Sequence, residues 1–252
     1  MLKIENINVG YKNRKVLKDV SFTAESGEIT VVLGKNGSGK TTLVRTISGS
    51  CRYTGRIFVD GQDLKTMKLR ERARKISVMP QTLPLPHVTV RELVAFGRTP
   101  YLGYGGRLGE KDKELVRKAM EETGTISLAE ELVCSLSGGE RQRAYFAMLT
   151  AQGADTILLD EPTANLDTEY RQMVYSYAQN MRSSGKTIII VMHHITEAVR
   201  LADKICVLDK GRICFKGCPK DFSTSSLPED LFGVHPLEVT DFSGIQHTVF
   251  LP

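Results

Sequence analysis

Apolar positions along this chain come in short runs separated by glycine and asparagine turns. Ile29-Thr30-Val31-Val32-Leu33 has the length and β-branched character of a strand buried on both faces of a parallel sheet. The run stops at Gly34. After a glycine-rich turn, Leu43, Val44 and Ile47 recur at helical spacing, so the predicted order is strand, tight loop, helix. The strand pattern returns in Thr156–Leu159 and Thr187–Val191, with helical segments in the intervals. Such alternation predicts an α/β fold around a largely parallel sheet.

The middle of the chain is patterned differently. Pro80, Pro84 and Pro86 interrupt it after Ile76-Ser77-Val78, and from Val90 the spacing turns helical. Leu115, Val116, Ala119 and Met120 form one face of a charged helix. A helical insertion between sheet strands is therefore expected over about 82–152. The longest apolar runs, such as Ile188-Ile189-Ile190-Val191-Met192, fall far short of the roughly 20 residues that span a bilayer. The first residues, MLKIENINVG, lack the apolar segment of a signal peptide, so a cytoplasmic chain is expected.

At 252 residues and 28.0 kDa the chain suits one domain with a subdomain, and 41% hydrophobic content excludes disorder as its main state. The net charge is +5 and unevenly spread: from Ser223 onward Glu229, Asp230, Glu238 and Asp241 face no Lys or Arg. Taking that −4 from +5 leaves +9 on the rest, which suits phosphate ligands or an anionic surface. Cys51, Cys134, Cys206, Cys214 and Cys218 form no CxxC pair and read as reduced structural thiols.

Three local patterns carry chemistry. Gly34-Lys35-Asn36-Gly37-Ser38-Gly39-Lys40-Thr41 matches GxxxxGK followed by Ser or Thr. The glycines let backbone N–H groups turn inward on phosphate oxygens at a helix start. Lys40 then supplies a point charge and the Thr41 hydroxyl a Mg²⁺ ligand. Ile157-Leu158-Leu159-Asp160-Glu161 is an apolar strand ending in two carboxylates. After a P-loop, Asp160 is expected to hold magnesium and Glu161 to polarise the attacking water. Leu136-Ser137-Gly138-Gly139-Glu140 opens a further helix whose N-terminus suits an anion. One nucleotide does not need two such termini, so the second is expected to serve a nucleotide held by another copy of the chain.

With these three in this order, the chain resembles the nucleotide-binding subunits of ATP-binding-cassette (ABC) transporters from about residue 1 to 220. The resemblance implies a RecA-like P-loop NTPase fold with an antiparallel β region and an inserted helical subdomain. It divides the chain into an ATPase domain at 1–222 and an acidic extension at 223–252. Gly34 to Thr41 with Thr42 correspond to Walker A, Leu136 to Glu140 to the signature with Glu in place of Gln, and Leu159 to Thr163 to Walker B. Asn165-Leu166-Asp167 resembles the D-loop, Gln81 the Q-loop residue that touches magnesium, and Tyr11 the aromatic that stacks on adenine. Aligning Glu197-Ala198 with the family's Glu-Ala places the switch histidine at His193 and leaves His194 where Asp is usual.

The resemblance further implies ATP and Mg²⁺ as ligands and a head-to-tail homodimer closing over two nucleotides. Its partners would be two integral-membrane permease subunits on the inner face of the cell membrane, served indirectly by a substrate-binding protein. Gly97-Arg98-Thr99-Pro100-Tyr101 resembles a segment of importers for iron-siderophore complexes, haem and cobalamin. An exporter's ATPase and a soluble ABC ATPase are the alternatives. Nucleic acid is not expected as a partner, because no basic stripe is interleaved with aromatics and 55 positions between Gln81 and Leu136 cannot hold a long coiled coil. The Asp160-Glu161 pair and the histidine argue against a P-loop protein that binds ATP without hydrolysing it.

Overall fold

The computed structural model describes residues 1–11, 14–103, 105–163, 168–240, 244 and 246–251. In chain order the elements are β1 (Leu2–Tyr11), β2 (Arg14–Ala24), β3 (Ile29–Leu33), α1 (Lys40–Ile47), β4 (Thr54–Val59), β5 (Gln62–Asp63), α2 (Leu69–Lys75) and β6 (Ile76–Met79). Then come α3 (Val90–Phe96), α4 (Glu110–Glu122), α5 (Gly138–Gln152), β7 (Thr156–Asp160), α6 (Thr168–Ser183) and β8 (Thr187–Met192). The last are α7 (Ile195–Leu201), β9 (Lys204–Asp209), β10 (Arg212–Gly217), α8 (Pro219–Ser223), β11 (His235–Thr240) and β12 (Gln246–Leu251).

The central sheet runs β10-β9-β3-β8-β7-β6, parallel throughout except for the antiparallel edge strand β10. Successive residues of a strand point to opposite faces, and this sheet buries both. Val31, Ile157, Leu159, Ile188 and Ile190 pack toward α3, α4, α5 and α6. Val32, Leu158, Ile189 and Val191 pack toward α1 and a second, antiparallel sheet of order β2-β1-β4-β5. Helix α1 buries Leu43, Val44 and Ile47 in that second core, so the loop before it is clamped between two packed layers.

The helices between β6 and β7 form a layer fastened by an ionic clasp. Arg98 is nearly buried, donating from Nη1 to the Ala151 carbonyl (2.7 Å) and from Nε to Asp112 (2.9 Å). Its guanidinium stacks 3.9 Å from the centroid of the Tyr101 ring, whose hydroxyl donates to the Gln152 carbonyl. The segment sharing the importers' pattern is thus itself a packing device joining α3, α4 and α5. After residue 223 the chain makes a turn at Pro228–Phe232 and an antiparallel hairpin of β11 and β12. Phe250 anchors the hairpin: its ring packs near Phe222 and its N–H donates to Thr196 Oγ1 on α7 (3.2 Å). Among the described residues, no helix is long and apolar enough to cross a membrane.

Candidate nucleotide site

Leaving β3, the chain curls through Gly34–Gly39 and enters α1 at Lys40. Gly39, the residue before the helix, sits at φ 113°, which a side chain would strain. The curl encloses Lys40, which is 5% exposed and donates from Nζ to the carbonyls of Gly34 (2.7 Å) and Lys35 (3.2 Å). Lys35, Asn36 and Gly37 form the exposed lip of the loop, while Ser38 is buried behind it.

Strand β7 delivers the carboxylates. Asp160 is 3% exposed and its Oδ1 has no hydrogen-bond partner. Burial raises its pKa above the usual carboxylate value, the neighbouring Glu161 raises it further, and a hydrogen bond with Thr41 works the other way. A buried, unpartnered carboxylate oxygen beside a hydroxyl fits a hard, oxygen-liganded cation such as Mg²⁺. Among the described residues no three His, Cys, Asp or Glu side chains cluster to hold a metal by themselves.

Glu161 sits at the strand's end with φ 49°, a sparsely occupied region for any residue with a side chain. Its N–H continues the ladder to the Val191 carbonyl (3.0 Å). The nearly buried carboxylate meets three groups from three elements. Gln81 Nε2 donates to Oε2 at 2.8 Å, His193 Nδ1 lies 3.4 Å from the same oxygen, and Lys40 Nζ lies 3.6 Å from Oε1.

These residues line one cavity of about 700 Å³, together with Tyr11, Arg14, Val16, Asn36, Gly37, Gly39, Thr41 and Thr42. Tyr11 stands half-exposed at its mouth, its hydroxyl 3.0 Å from Cys51 Sγ. Arg14 and Val16 were not anticipated. They open β2 just past Tyr11, and no local pattern marks them. The two adjacent histidine rings lie 4.1 Å apart and both border a groove with Phe232, Val234 and Phe250, but only His193 also lines the nucleotide cavity and faces Glu161.

Ser137, Gly138 and Gly139 do not line this cavity. They open α5, where Ser137 and Glu140 form a reciprocal capping box: Ser137 Oγ donates to Glu140 Oε2 (2.6 Å) and accepts from the Glu140 N–H (3.4 Å). The bond that Ser137 Oγ donates, with one from the Ser137 N–H, holds the Glu140 carboxyl below its usual pKa. Gly139 has no room for a side chain, because the Tyr170 ring would lie 1.5 Å from its Cβ. Gly138 borders a smaller groove with Gln81 and Glu161. Asn165, Leu166 and Asp167 lie outside the described residues.

Residues 17–164 match the family model described as ABC transporter. The iron(3+)-hydroxamate import ATP-binding protein FhuC of Bacillus subtilis (strain 168) is 33% identical over 243 residues, covering 95% of this chain and 90% of that protein. The hemin import ATP-binding protein HmuV of Rhodococcus jostii (strain RHA1) is 34% identical over 255 residues, covering 100% of this chain and 86% of the relative. A chain of an inward-facing ABC transporter, assigned to the metal-chelate type, superposes with a TM-score of 0.86 at 27% identity, covering 100% of this chain and 97% of that one. With more than half its length matched by the family model, and relatives above 30% identity along nearly all of it, the chain belongs to the ABC transporter family, as one of its ATP-binding ATPase chains.

Proposed function

We propose that this chain powers an ABC importer for an iron complex, a ferric siderophore or haem, by hydrolysing ATP in the cavity beneath Tyr11. The observation that carries the catalytic part is the Glu161 carboxylate, faced at once by Lys40, Gln81 and His193. Lys40 and the backbone of Gly34–Thr42 bind the phosphates, and Tyr11 stacks on the base. Mg²⁺ would be held by Thr41, Asp160 and Gln81, where it neutralises charge on the phosphates when bound. Glu161 takes the proton of the attacking water, and His193 contacts the γ-phosphate.

Ser137 and Gly139 lie outside the cavity of their own chain, which supports their use on the nucleotide of a second copy, with Asp167 near that interface. The names of the relatives support the cargo. The chain would then work on the inner face of the cell membrane beneath two permease subunits, with a substrate-binding protein delivering the cargo. Exposed Leu85, in the segment leading into α3, and Phe96, the last residue of α3, offer the permease an apolar foothold. Cysteines at Leu85, Phe96 and Thr99 are expected to crosslink to a permease co-expressed from the same operon. Crosslinks found only to nucleic-acid proteins would overturn the transport reading.

A further inference from the structure

Beyond the groups that face the nucleotide cavity, we propose that Glu197 is a positioning residue for hydrolysis, holding the chain after Glu161 in register with the helix that follows His193. This rests on the reading of Glu161 and His193 given above. Glu197 lies in the first turn of α7, directly after the two histidines. Each of its carboxylate oxygens takes a different donor. Oε2 accepts from the Thr163 hydroxyl at 3.3 Å, and Oε1 pairs with Arg171 Nη1 of α6 at 2.8 Å. Tyr175, one turn along α6 from Arg171, is half-buried with its hydroxyl enclosed beside the same carboxylate; burial first, and Glu197 second, push the tyrosine pKa well above its ordinary value.

Thr163 is two residues past Glu161 and buried, and the intervening Pro162 gives its carbonyl to Gln142 Nε2 of α5. The chain leaving Glu161 is therefore suspended between two helices, the one opened by Ser137-Gly138-Gly139 and the one opened by the histidines. Glu161 needs such support, because a left-handed backbone on a residue with a side chain persists only where its surroundings over-determine it. Removing Glu197 frees Thr163, leaves the Arg171 pair unmade, and lets Glu161 and His193 drift relative to each other. A displacement near 1 Å at reacting groups costs up to about a hundredfold in rate.

The test compares Glu197→Ala, Glu197→Gln, Arg171→Ala, the Glu197→Ala/Arg171→Ala pair and Glu161→Gln, reading kcat and KM for ATP and the stoichiometry of a fluorescent ATP analogue. Glu197→Ala is expected to lower kcat about ten- to a hundredfold, with analogue stoichiometry unchanged and KM within about twofold. Glu197→Gln keeps one oxygen acceptor and loses the other, so its kcat is expected between those of wild type and Glu197→Ala. Adding Arg171→Ala to Glu197→Ala is expected to slow the enzyme less than Arg171→Ala slows the wild type, because the two residues share the 2.8 Å pair. A wild-type kcat in Glu197→Ala, or a loss matched by an equal loss of analogue-binding sites, overturns the proposal. If Glu197→Ala does not fold, Thr163→Val removes only the hydroxyl donor and is expected to lower kcat with KM unchanged; a wild-type kcat there overturns the proposal equally. Glu161→Gln separates the layers: if it hydrolyses ATP normally, the catalytic reading fails, whereas an inactive Glu161→Gln beside a normal Glu197→Ala refutes the positioning role alone.

Discussion

Lys40 Nζ, enclosed by the carbonyls of the P-loop, lies 3.6 Å from Glu161 Oε1, so the cation of the phosphate cradle also faces the proposed base. Both side chains are nearly buried, and a pair in such a place offsets much of its own desolvation only while both partners remain. Phosphate oxygens entering the loop compete with Glu161 for the same ammonium. On the proposed reading, nucleotide binding would thereby free the carboxylate to polarise the attacking water.

Lys40→Ala removes that charge and leaves only backbone donors for the phosphates. A hydrogen bond to a charged group contributes about 1.5–3 kcal/mol, so ATP affinity is expected to fall about ten- to a hundredfold. Equilibrium titration with a fluorescent ATP analogue checks this, and an unchanged affinity would remove the P-loop from the account.

The histidines give a sharper contrast. His193 Nδ1 is 3.4 Å from Glu161 and lines the nucleotide cavity, while His194 borders only the C-terminal hairpin groove that both share. His193→Ala is expected to lose about 10²-fold or more in phosphate release, and His194→Ala to keep most of it. The reverse ranking would move the switch by one position.

Asp160 gives a pH-dependent prediction. Its folded pKa is raised above the ordinary 3.8, so the folded state holds this proton more tightly than the unfolded chain. The sign follows: the stabilising contribution is full below pH 3.8 and is lost as pH rises through the raised folded value, leaving a buried charge at neutral pH. Asp160→Asn is therefore expected to raise the neutral-pH Tm of the nucleotide-free protein by a few degrees, about 2–4 °C per kcal/mol at this size. It should at the same time abolish the extra stabilisation that Mg²⁺ adds to ATP. Thermal melts from pH 5 to 8, with and without Mg-ATP, read both effects.

The clasp in the helical layer predicts a stability defect away from the cavity. Arg98→Ala strands Asp112 and the Ala151 carbonyl, and breaking a largely buried pair costs about 3–5 kcal/mol when solvent cannot help. Asp112 keeps some exposure, so about 2–4 kcal/mol is expected in urea denaturation. Arg98→Lys recovers little of this, because an ammonium cannot make both bonds and stack on Tyr101.

How far the sequence could be read depended on the range of the interactions. The curl of Gly34–Gly39, the apolar strand running into Asp160 and the alternating strand-helix order are encoded by neighbours, and local spacing exposes them. Arg14 and Val16 reach the cavity only because β2 folds back on β1 beside α1. Arg98 and Asp112 are fourteen positions apart on different elements, so spacing disclosed a family-like segment but not a buried ion pair. The left-handed backbone of Glu161 leaves no trace in residue type, since Glu is ordinary at a strand's end. The hairpin at 235–251 was hidden for a related reason: the alternation Leu237-Glu238-Val239-Thr240 is short and its apolar residues stay exposed, while the anchorage comes from Phe250 on the partner strand.

The central claim is that two chains close over shared ATP, with Ser137 and Gly139 of one copy covering the nucleotide bound by Lys40 of the other. Glu161→Gln keeps the shape of the side chain but removes the base, and loss of a general base costs about 10²–10⁴-fold in rate. Size-exclusion chromatography with light scattering, run at saturating ATP, measures the claim most directly. The account predicts that Glu161→Gln elutes as a dimer with ATP, as a monomer with ADP, and as a monomer with ATP once Ser137→Arg is added. A Glu161→Gln chain that binds ATP to saturation and stays monomeric would contradict it.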